Sequence, residues 1–341
     1  MINKELLNKA HLDNLLEYCE QVPYDVLRTE LYHPGELFEC YEESDPSSFC
    51  RCYDTRVYNH LCQTGRNNLE VLESATRNWH DYTIRQALAR FMGDYRQHHV
   101  VGIMGGHQLL RNDAPYRQVV EIAKTLTEQG FLMLSGGGPG AMEATHLGAW
   151  LAGRDQREVD EAIEILSRAP SFQDDGWFAR AYEVTEKFPL LPYEHCGPDD
   201  TTVYSHYKSL AIPTWFYGHE PPTVFATDIA KFFDNSQRED LILTESYGGL
   251  IFMPGSAGTL QEIFQECVQN HYVTLGYASP MVFVGRKFWT EEIPVYPFLE
   301  TMEKTGRYKN LLLYLTDSTD DAIRAIMEFN NSFKENHKKN E

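Results

Sequence analysis

The chain has 341 residues, 42% of them hydrophobic, and a formal net charge of −20. That length and apolar share suit one large core plus an accessory element. The charge argues against nucleic acid as the main partner, which needs a basic face, and against an anionic membrane surface. A small phosphate ligand stays open, because a few backbone amides and one Arg outweigh the global field locally.

Residues 1–97 read as a mostly helical accessory segment with an irregular stretch, "HPGELFECYEESDPSSF", in its middle. The opening "MINKELLNKAHLDNLLEYCEQ" is amphipathic and acidic, unlike a secretory leader. Five of the seven cysteines precede residue 63, an odd total that suits free thiols in a reducing, cytoplasmic setting. Cys50, Cys52, His60 and Cys62 invite a zinc reading, but their spacing matches no finger or ribbon, so ordinary thiols are expected and no metal. No apolar run approaches the roughly 18 residues of a membrane-spanning helix.

At His99 the texture changes. "HVVGIMGG" predicts a strand ending in glycines, and "DAPYRQVVEIAKTLTEQG" a helix with Asp113 as N-cap, Pro115 in its first turn and Gly130 as its stop. "FLMLSGGGPG" and "AMEATHLGAWLAG" repeat the unit. From 154 to about 220 the rhythm breaks into an insertion. "REVDEAIEILSRA" and "FARAYEVTEKF" read as helices, and "LLPYEHCGPDDTTVYSHYKSLAIPTWFYGHEPP" as irregular and aromatic. Such an insertion reads equally as a lid, interface or binding element and as a decoration. Strand–helix units then resume with "GLIFMPGS", "PMVFVG" and "LLLYLTD", before a frayed tail, "KENHKKNE". The expectation is an α/β fold: a doubly wound, Rossmann-like parallel sheet over residues 98–335 with right-handed crossovers.

Three glycine-bearing strand ends face one way: Gly105-Gly106-His107, Gly136-Gly137-Gly138 with Gly140, and Gly255-Ser256-Ala257-Gly258-Thr259. Ligands of open α/β sheets sit there, at the switch point, where glycine allows close backbone approach and helix starts bind anions. The last loop reads as a phosphate cradle with the Thr259 hydroxyl added. It is not a Walker loop, and "GIMGGH" lacks the dinucleotide spacing, so no nicotinamide or other cofactor is expected. Glu262, one turn into the following helix, would face a sugar attached to the phosphate; alone it reads as an ordinary surface glutamate.

"PGSAGTLQE" resembles the Pro-Gly-Gly-x-Gly-Thr-x-x-Glu motif of the Lonely Guy family of nucleoside 5′-monophosphate phosphoribohydrolases. "SGGGPGAMEATHLGA" is similar to that superfamily's second glycine segment. "EPP" through Arg238 resembles the longer bacterial branch, the pyrimidine/purine nucleotide 5′-monophosphate nucleosidases. The likeness spans roughly residues 98–330. It implies Arg238, 24 residues before Glu262, as the partner in a catalytic pair. The implied reaction is hydrolysis of the N-glycosidic bond of a nucleotide such as AMP, within a homodimer or larger homo-oligomer. Glu143 is expected at the sugar or base. Tyr207, Trp215, Phe216 and Tyr217 are interface candidates. Departures are Ser256 for the second motif glycine, His107 in the first loop, and Glu239 where the short branch usually has Lys. The alternative is a carrier that binds a nucleotide or phosphorylated cofactor without turnover. A lysine decarboxylase label, common among relatives, lacks a recognisable pyridoxal phosphate setting here.

Overall fold

In the computed structural model, residues 9–67, 70–93, 95, 99–192, 207–218 and 220–338 are described. Seven parallel strands form one sheet in the order β4-β3-β2-β1-β5-β6-β7. They are β1 Val100–Met104, β2 Leu132–Ser135, β3 Ser209–Ala211, β4 Asp228–Ile229, β5 Gly249–Phe252, β6 Pro280–Val284 and β7 Leu312–Thr316. Strands β1 to β6 are buried along their length, as their continuous apolar runs require when helices cover both faces. Edge strand β7 is half-exposed. The chain winds outward from β1 to β4, then returns to pair β5 on the other side of β1, with Val101 opposite Gly249 and Met104 opposite Phe252. The fold is therefore doubly wound, and its switch point lies between β1 and β5.

The predicted helices α5 Ala114–Glu128, α6 Ala141–Trp150, α7 Gln156–Leu166 and α8 Trp177–Lys187 all form. So do α10 Ala257–Tyr272, α11 Val295–Lys304 and α12 Thr319–Lys338, with α9 Asn235–Thr244 entering β5. Several details differ from expectation. Asp113 precedes α5, but its carboxylate accepts from Leu110 N at 2.8 Å instead of capping the helix. The stretch read as irregular contains β3, and β4 follows it; strands of three and two residues are too short for their alternation to register. The C-terminal helix continues to Lys338, through most of the expected tail. Of the irregular aromatic stretch, residues 193–206 and 219 lie outside the described residues.

Helices α1 Lys9–Gln21, α2 Pro34–Leu37, α3 Tyr53–Thr64 and α4 Val71–Met92 occupy the N-terminal segment. It is tied to the sheet. Tyr32 bridges Ile229 antiparallel, exchanging hydrogen bonds of 2.8 and 2.9 Å, so the β4 edge is covered where it would otherwise present bare amides. Asp54 reaches Lys231 and accepts from Trp215 Nε1 at 2.9 Å; all three side chains are buried. Burial lowers the Lys231 pKa and Asp54 opposes that shift. Trp215 therefore belongs to the core of its own chain and not to an interface, and Tyr207 is buried too; Phe216 is half-buried and Tyr217 exposed. The described cysteines are free thiols. Cys52 donates to Ser48 O, and His60 lies 3.1 Å from Glu73; Cys196 lies outside the described residues. No helix among the described residues is long and apolar enough to cross a membrane.

Candidate functional site

The three glycine loops meet at the carboxyl edge of the sheet. Gly106 N donates to Pro254 O at 3.1 Å across the switch point, and Ala141 N donates to Gly106 O at 3.3 Å. A Cβ on Gly105 would press against Ala141 and Met253. Gly137 and Gly140 take φ of +72° and +71°. Only glycine adopts such angles without strain.

The loop before α10 is an open helix start. Ser256 is its N-cap at φ −114°, an ordinary angle, so serine carries no left-handed strain there; its hydroxyl makes no cap bond. Leu260 N is the first amide to bond within the helix, to Ser256 O at 3.0 Å. The amides of Ala257, Gly258 and Thr259 are thus the orphan donors of a helix start. Ser256, Ala257 and Gly258 are exposed, and the first turn holds no acid to compete with an anion. Thr259 is buried, and its hydroxyl packs so closely on Gly255 that any Cβ there would collide with it.

Arg238 lies on α9, whose N-cap Asp234 accepts from Ser236 N and Gln237 N at 2.8 and 3.2 Å. Its Nε donates to Ile212 O at 2.8 Å and Nη2 to Gly136 O at 3.4 Å. Gly136 is small for this reason: a Cβ would collide with the guanidinium. Glu262 is half-buried one turn into α10. Burial pushes its carboxyl up to about 7; Arg238 opposes that rise and Glu239 adds to it. Burial also lowers the Arg238 pKa, with Glu262 the leading opposing charge. Each charge thus lies within electrostatic reach of the other. Two amide–carboxylate bonds fix their spacing by stitching α10 to α9: Gln261 to Glu239 at 2.8 Å and Gln265 to Asp240 at 3.0 Å. Glu239 thus has a structural partner in Gln261.

Glu143 lies under the cavity walled by His107, Pro139 and Trp177. It is fully buried. Its oxygens accept from Arg111 Nη2 at 2.6 Å and Nε at 2.8 Å, and from Tyr116 Oη at 2.9 Å. A buried bidentate pair of this kind holds structure together, and removing one partner would strand the other charge.

Several supporting residues carry no local sequence signal. Beneath the second glycine loop, Gly137 N donates to Ser135 Oγ at 3.1 Å. Ser135 Oγ contacts His146 Nε2 at 2.9 Å, and His146 Nδ1 contacts Ser209 Oγ at 2.9 Å. Burial lowers the His146 pKa to about 3, so the ring is neutral and suited to relaying one hydrogen bond on each side. Asp81, on α4, accepts from Phe233 N and Asp234 N at 3.0 and 2.8 Å and so anchors the start of α9. Beside Arg238, Tyr217, Glu220 and Met142 line a void of about 30 Å³, the space of one water. Of the sequence-predicted residues, the structure brings together the three loops, Arg238 and Glu262, and pairs Glu143 with Arg111 beneath Gly140.

No protein-family profile and no curated protein matches the chain. Among solved structures it is similar to the molybdenum cofactor binding protein of Rippkaea orientalis, at 12% identity and a TM-score of 0.39, over 67% of this chain and 95% of that one. It is also similar to the Moco carrier protein of Chlamydomonas rheinhardtii, at 14% identity and a TM-score of 0.38, over 67% of this chain and 96% of that one. A structural-genomics target matches at 16% identity and a TM-score of 0.40, over 67% of this chain and 98% of that one. Likenesses this distant carry no argument about chemistry.

Proposed function

We propose that the switch-point crevice binds a nucleoside 5′-monophosphate and hydrolyses its N-glycosidic bond, releasing free base and ribose 5-phosphate. The observation that carries this reading is the open helix start of α10, with no acid in its first turn, and its tie to α9, which sets Glu262 within electrostatic reach of Arg238. In it, the phosphate takes the amides of Ala257 to Thr259, and that remote binding energy holds the sugar against Glu262. Cleavage builds positive charge on the sugar ring, which the ionised Glu262 stabilises or attacks. With its pKa near 7, Glu262 populates that ionised form at neutral pH. Arg238 stays protonated; it orients Glu262 and balances charge, and is not a general acid. A homo-oligomer, most simply a two-fold dimer, accompanies this reading.

A second reading, a carrier that holds a phosphorylated ligand without turnover, draws on a different observation. Arg238 spends two of its donors on backbone carbonyls, as a strut would. Incubating the protein with a panel of ribo- and deoxyribonucleoside monophosphates separates the two. Free base and sugar phosphate support hydrolysis. Intact nucleotide recovered with the protein after long incubation supports the carrier and overturns hydrolysis.

A further inference from the structure

The insertion before β3 builds a compartment that the phosphate cradle and the Arg238–Glu262 pair leave unused. Pro170 to Gln173 and Trp177 wall one side of a cavity of about 170 Å³; His107, Pro139 and Gly140 wall the other. The turn is self-bracing: Ser171 N donates to Asp174 Oδ2 at 2.8 Å, and Asp174 N to Ser171 O at 2.9 Å. Arg111 pins it from below. Its backbone amide donates to Pro170 O at 3.1 Å, and Nη1 donates to Ala169 O and Trp177 O at 3.3 and 2.9 Å. Glu143 neutralises Arg111, so the cavity floor carries no net charge. This gives the buried ion pair its purpose: it fastens the insertion to the glycine loops.

His107 links the cavity lining to the proposed site. His107 meets Phe172 edge-to-face, with ring centroids 6.3 Å apart. On its other side, His107 Nε2 stands 3.9 Å from Glu220 Oε1, and Glu220 is one of the carboxylates that favour the charged form of Arg238. The residue before it, Gly106, bonds to the loop that starts the cradle.

We propose that this cavity holds a planar heteroaromatic ring, the base of a nucleotide whose phosphate lies at the start of α10; the assignment rests on the nucleotide reading above. A cavity of about 150 Å³ accepts a benzene ring, so this one has room for a ring or a compact fused pair. Phe172 and His107 supply flat faces and edges for ring contacts. Gln108 and Gln173, exposed at the rim, each offer a donor and an acceptor, which matches ring nitrogens and an exocyclic amine. A bare sugar phosphate has no use for such walls.

The test uses the full chain and three probes: adenine, ribose 5-phosphate and AMP, each titrated by calorimetry and ligand-observed NMR. Phe172→Leu keeps bulk and removes the ring; Gln173→Ala, at an exposed rim position, serves if that variant fails to fold. Phe172→Leu should weaken adenine and AMP by about five- to tenfold, the order of one aromatic contact, and leave ribose 5-phosphate unchanged. Adenine that fails to bind the parent, or binds both variants as well as the parent, overturns the cavity assignment even if AMP is hydrolysed. Adenine binding that depends on Phe172, with no binding of ribose 5-phosphate to the parent, keeps the cavity and overturns the cradle.

Discussion

Gln261 donates a 2.8 Å hydrogen bond to Glu239, and each is the chain neighbour of a member of the candidate pair, Glu262 and Arg238. The bond holds α10 against α9, so the distance between the two charged groups is set by their neighbours. It also places the Glu239 carboxylate where it raises the Glu262 pKa.

Glu239→Gln tests that electrostatic link. The amide can still accept from Gln261, but the negative charge is gone. Because Glu239 pushes the Glu262 pKa upward, its neutralisation should lower it, and the acid limb of the activity profile should move to lower pH. A limb that stays in place, with nucleotide binding intact, would show that Glu262 does not govern it.

Glu262→Gln preserves shape and removes the carboxylate. If that charge stabilises the developing cation, turnover should fall by about two orders of magnitude or more, while AMP binding is largely kept. Activity within a few-fold of the parent would sink the assignment.

The cradle predicts that the 5′-phosphate is required. Adenosine should be turned over far more slowly than AMP, since the amides of Ala257 to Thr259 then have no anion to hold. Equal rates on the two would remove the cradle from the mechanism.

Glu266, one turn beyond Glu262, predicts a pH-dependent stability. It is buried, with Ser279 Oγ donating to it at 2.6 Å, and burial raises its pKa to about 7. The folded state therefore keeps its proton where the unfolded state has lost it. This contribution to stability is fully present below the ordinary carboxylate range and is lost as pH rises through about 7. Glu266→Gln should match the parent near pH 4 and exceed it at pH 8, by an amount on the order of 3 kcal/mol. Urea melts at the two pH values decide it; a difference independent of pH would mean that Glu266 does not titrate between the two states.

Assembly is open to a direct measurement. The chain mass is 39.4 kDa, and light scattering at micromolar concentration in low salt should report a multiple of it. A monomer mass would refute the homo-oligomer.

Local chemistry determined much of this architecture. Apolar runs ending in glycine, each followed by an amphipathic stretch, announced β1, β2 and β5 with their helices, because strand and helix periodicity and glycine punctuation are properties of neighbouring residues. The three loops and the position of Glu262 were legible on the same basis, whereas Arg238 was picked out only through the resemblance. Only the tertiary structure decided what each polar group faces. It committed Glu143 to Arg111 and buried Trp215 against Asp54. It set Asp81 under the start of α9 and brought Phe172 of the insertion to His107. These partners lie from 32 to 161 residues apart in sequence. Their meeting depends on how the sheet winds and which side chains lose water together, and no local pattern carries that information.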